Sequence, residues 1–67
     1  MIKLSPGDLL IEKDGSCAVL IECERSLGVG AWRVFWSDGK MDIFPWVENS
    51  IKGDILDGNI KHIKGGN

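Results

Sequence analysis

The stretch Ala31-Trp32-Arg33-Val34-Phe35-Trp36-Ser37-Asp38-Gly39-Lys40-Met41-Asp42-Ile43-Phe44 decides the fold. Two apolar runs flank Asp38-Gly39, and Asp-Gly between such runs is among the strongest short hairpin signals. The first run, Ala31 to Trp36, alternates. Trp32, Val34 and Trp36 share one face of a strand, and Ala31, Arg33 and Phe35 share the other. Met41 to Phe44 returns antiparallel, and Pro45 ends it for want of an N–H.

Toward the N-terminus the same grammar repeats. Ser5-Pro6-Gly7-Asp8 is an opening turn, Asp8 to Glu12 a strand, and Lys13-Asp14-Gly15-Ser16 a tight turn. Cys17 to Glu24 is the longest strand. Its face Cys17, Val19, Ile21 and Cys23 is apolar throughout and is expected to enter the core with Val34 and Trp36. Arg25 to Gly30 reads as a loop. Toward the C-terminus, Trp46 to Ile51 fits one irregular or 3₁₀ turn, and Lys52 to Gly58 a polar loop plugged by Ile55 and Leu56. Asn59 to Lys64 is a short closing strand, and the final residues fray. No segment carries a sustained 3.6-residue apolar period. The expectation is an all-β, five-stranded small barrel with one 3₁₀ or irregular turn before the last strand. It is a single domain over residues 1–67, with an ordered core from about 5 to 64.

Pro6-Gly7-Asp8-Leu9-Leu10, a glycine turn with a long second strand, and then Val34-Phe35-Trp36-Ser37-Asp38-Gly39-Lys40 together resemble the SH3-like barrels of the Tudor and KOW kind. The pattern is also similar to short proteins of tailed bacteriophages. The resemblance spans roughly residues 5 to 64 and implies a fold and a style of binding, not a ligand. The chain departs from peptide-binding SH3 domains in having no Tyr, and from KOW motifs in having only Lys13 beside its Gly15 turn.

Composition bounds the function classes. Sixty-seven residues with 43% hydrophobic and 27% charged side chains make one small globular core. The net charge of −2 lacks the basic balance of most phosphate-gripping domains. The longest apolar run, Cys17 to Ile21, is far too short to span a membrane. No secretory h-region follows Met1, so a cytoplasmic setting with reduced thiols is expected, a host cytoplasm if the phage resemblance holds. Cys17 and Cys23 lie too far apart along one strand to bridge.

Chemistry is sparse. Cys17, Cys23 and His62 are the only soft metal ligands and are not spaced for a zinc site. No nucleophile motif accompanies His62, so neither catalysis nor a cofactor is expected. The aromatic residues Trp32, Phe35, Phe44 and Trp46 crowd around one hairpin and are the candidates for a protein-binding or self-association face. An aromatic cage for a cationic side chain is one form of it. The alternative is a single-stranded nucleic-acid barrel, with Lys52, Lys61 and Lys64 on phosphates and Trp46 stacking on bases.

Overall fold

The computed structural model describes residues 2–24 and 30–65. Strands β1 (Leu9–Glu12), β2 (Cys17–Glu24), β3 (Ala31–Trp36), β4 (Met41–Ile43) and β5 (Ile60–Ile63) form one antiparallel sheet in the order β4-β3-β2-β1-β5. Helix α1 (Glu48–Leu56) lies between β4 and β5. The expected barrel is corrected in one respect: the sheet is not closed. Its edge strands β4 and β5 are not neighbours in the hydrogen-bonded order. β4 holds only three residues, with Phe44 N–H still donating to Trp32 C=O at 2.8 Å before Pro45 ends the pairing, and α1 packs against β5.

The β1–β2 and β3–β4 connections are built alike. Gly15 N–H donates to Glu12 C=O and Gly39 N–H donates to Trp36 C=O, each at 2.9 Å. Both glycines have positive φ, 91° and 93°, where a side chain would be strained. The aspartate before each glycine accepts from the backbone N–H two residues on, Asp14 from Ser16 at 2.8 Å and Asp38 from Lys40 at 3.0 Å.

The core is built from Leu4, Leu10, Ala18, Leu20, Trp32, Val34, Phe44, Ile51 and Ile60. This overturns the expected core face of β2. Ala18 and Leu20 point inward, Cys17 and Val19 point outward half-buried, and Ile21 is exposed. The pairing explains the change: Leu20 faces Val34 but Glu22 faces Arg33, so Ile21 is an extra residue in a β-bulge. The bulge reverses the inward parity, and Cys23 beyond it packs against the core opposite Trp32. Trp36 is partly buried and stacks on Phe44, with ring centroids 5.4 Å apart.

α1 replaces the irregular turn and polar loop expected over residues 46–58. Only Ile51, fully buried, and Ile55, one turn later, face the core. Two inward residues and an interior Gly53 give a weak helical pattern, so tertiary packing has to stabilise this helix. Its ends are anchored by neighbours. Glu48 N–H donates to Gly30 C=O at 3.0 Å. Trp32 Nε1–H donates to Glu48 Oε1 at 2.9 Å. At the C-terminus Asn59 N–H donates to Asp54 C=O at 2.8 Å and Gly58 N–H to Ile55 C=O at 3.2 Å. With Gly58 at φ 83°, this is a Schellman motif.

Candidate protein interface

The sheet has an inner face on the core and an outer face with no element packed over it among the described residues. Register places one residue from each strand side by side on the outer face. Met41 pairs with Phe35, Phe35 with Val19, Val19 with Leu9, and Leu9 with Ile63. All five are apolar. Phe35 is 42% exposed, Met41 58% and Ile63 42%. Ile11 and Cys17 extend this row on one side, Ile43 on the other, and Ile21 bulges out beside it. An apolar row crossing a whole sheet is a contiguous patch, unlike scattered surface leucines, and such patches mark contacts.

The charges around the row are few. On one side Arg33 donates to Glu24 Oε2 through Nη2 at 2.6 Å and lies 3.4 Å from Glu22 Oε1. Its guanidinium is held above its ordinary value by that hydrogen bond and by the charge of Glu24, then by Glu22. On the other side Lys61 stands on β5 opposite Ile11.

The predicted aromatic set divides. Trp32 and Phe44 are buried on the inner face, so they do not belong to an exposed surface. The alternation of β3 carries the reason: Trp32 shares its face with Val34, which lies in the core. Phe35 is exposed on the outer face. Trp46 is half-exposed elsewhere, at an open groove of about 420 Å³ lined also by Ser50, Gly53, Asp54 and Asp57. The structure thus brings Phe35 together with Met41, Val19, Leu9 and Ile63, and leaves Trp46 apart. Sequence reasoning missed these partners because it took Val19 for core.

The lysines are not gathered. Lys52 Nζ lies 3.7 Å from Glu48 Oε2, Lys64 Nζ 3.9 Å from Asp8 Oδ2, and Lys61 is on the outer face. The groove beside Trp46 carries carboxylates, which oppose a phosphate backbone.

One polar constellation is buried. Asp8 accepts from Ser5 N–H at 3.0 Å, from Gly65 N–H at 2.8 Å, and bonds His62 Nε2 at 2.7 Å. Burial alone would raise its pKa. The hydrogen bonds from Gly65, His62 and Ser5, with the charge of Lys64, outweigh burial and hold the carboxyl below its ordinary range. The groups around it come from both chain-terminal segments, so the carboxylate acts as a latch. Gly65 sits so close that a Cβ there would lie 2.7 Å from Gly7 O. Cys17 and Cys23 are free thiols, and among the described residues no group of His, Cys, Asp and Glu is placed to hold a metal. No described helix is long and apolar enough to cross a membrane.

Comparison with known proteins finds no matching family model, no matching curated protein and no matching solved structure.

Proposed function

We propose that this chain is a non-enzymatic protein-binding or assembly module with an SH3-like architecture, docking through the outer face of its sheet. The apolar row Met41–Phe35–Val19–Leu9–Ile63 carries the proposal. Burying exposed apolar surface contributes about 25 cal/mol per Å², so a row left open is available to drive association. The latch at Asp8 supports the non-catalytic side: its buried carboxylate is engaged in holding chain segments together. The lysine arrangement gives the nucleic-acid alternative little support. A phage-encoded protein acting in a host cytoplasm is in keeping with the sequence resemblance.

The test is capture of partners on immobilised chain, wild type against Phe35→Glu. A charge at the centre of the row should remove the captured proteins while far-UV circular dichroism stays unchanged. An identical captured set would sink the proposal.

A further inference from the structure

We propose that the outer face is a self-association surface, two copies packing sheet to sheet about a two-fold axis that runs along the Met41–Phe35–Val19–Leu9–Ile63 row. This rests on the protein-binding proposal above and names its partner as a second copy of this chain.

Register supplies the argument. A two-fold axis along the row lays each strand over its own copy, with the strands roughly aligned as in packed sheets. The five row residues then meet their own counterparts. A residue two positions before the row falls over the residue two positions after it on the same strand of the second copy. Ile43 on β4 falls over Gly39 of the β3–β4 turn, Ile11 on β1 over Gly7 of the turn before β1, and Lys61 on β5 over Gly65 just past β5. Each protruding side chain meets a glycine, which leaves room for it.

The charges also fit. Arg33 falls over Ser37 and next to Asp38, the acidic residue of the β3–β4 turn. Glu22 falls near Cys17. Lys61, over Gly65, falls next to Lys64, whose charge is already met by Asp8 Oδ2 at 3.9 Å. A chain of net charge −2 can therefore approach its copy through this face with little like-charge cost.

The area sets the strength. Five strands about 4.8 Å apart, over about five residues of length, offer on the order of 400 Å² per copy. The pair buries about 800 Å², below the ~1,200–2,000 Å² of stable specific interfaces and in the weak, transient class, so the dimer is reversible.

Sedimentation equilibrium from about 10 µM to 1 mM tests this. The mass should rise from 7.4 kDa toward twice that value. Phe35→Glu should raise the dissociation constant about 30-fold or more, because the residue meets its own copy at the axis. Met41→Glu, at a more exposed edge position, provides the same test should Phe35→Glu fail to fold. Trp46→Ala should leave association unchanged. A wild type that stays at 7.4 kDa throughout overturns the inference. So does association that both glutamate variants leave intact. A monomeric wild type that still captures partners, and loses them on Phe35→Glu, overturns self-association alone and leaves the protein-binding proposal standing.

Discussion

Replacing Asp8 by alanine removes a carboxylate that Ser5 N–H, Gly65 N–H and His62 Nε2 approach at 3.0, 2.8 and 2.7 Å. A hydrogen bond to a charged group contributes about 1.5–3 kcal/mol, so three would sum to about 4.5–9. Two effects reduce this. The carboxylate's own desolvation costs several kcal/mol and disappears with it, and the freed N–H groups regain water where they near the surface. Donors left facing the missing acceptor cost about 1–3 kcal/mol each, and we expect a net loss of about 3–5 kcal/mol here. It matches the whole stability of a domain this small, about 3–5 kcal/mol. Asp8→Ala should therefore be largely unfolded at 25 °C. Asp8→Asn can still accept from Gly65 N–H, but its NH2 then faces Ser5 N–H, and it should lose about 1–3 kcal/mol. Urea unfolding followed by tryptophan fluorescence and far-UV circular dichroism measures both. With m near 1 kcal/mol/M, Asp8→Ala should lower the midpoint by about 3 M or abolish the transition. Acid titration checks the cause. The folded pKa lies below the unfolded value of about 3.9, so the contribution is complete above that pH and is lost as pH falls through the folded pKa. The stability gap between wild type and Asp8→Asn should shrink as pH falls below about 4 and through the lowered folded pKa. A midpoint shift under about 1 M for Asp8→Ala, or a gap independent of acid, would refute the latch.

Three further outcomes follow from the same geometry. Gly65→Ala would force a Cβ to within 2.7 Å of Gly7 O, so its amide must leave Asp8, and thermal melting should show a loss of about 1–3 kcal/mol. Trp32→Phe keeps a ring in the core but deletes the donor to Glu48 Oε1, and should cost about 1–2 kcal/mol by urea unfolding. Ile51→Ala empties the only fully buried position of α1, should cost about 2–5 kcal/mol, and should speed amide exchange at 48–56 before the sheet.

Much of the sheet was legible because glycine and aspartate punctuate it. The bounds of β2 and β3 are those the turns Lys13–Ser16 and Ser37–Lys40 imply. The inward side of β3 was also legible, since Val34 brings Trp32 with it. The bulge at Ile21 was not. β2 is apolar on both sides near its start, and strict alternation puts Glu22 and Glu24 on the side of Ala18 and Leu20, so it favoured Cys17, Val19 and Ile21. That one inversion hid the outer row, because Val19 was assigned to the core. α1 was missed because Asn49, Ser50 and Gly53 are weak helix formers. Ile51 with Ile55, closed by Gly58, was the signal available. The latch joins Asp8 to Gly65 across 57 residues of sequence, beyond the reach of any local pattern.

The pairing of the first strand with the last has a consequence for biosynthesis. β1 lies between β2 and β5, so half of its hydrogen-bonding partners are made only after β2, β3, β4 and α1. During translation Leu9–Glu12 pairs early with β2 and then presents an open edge until Ile60–Ile63 emerges. Over that interval Asp8 has no His62 or Gly65 to receive. Folding must therefore be completed late and over long range, which slows it. Until then the nascent chain carries an unpaired strand edge that a neighbouring nascent copy could occupy.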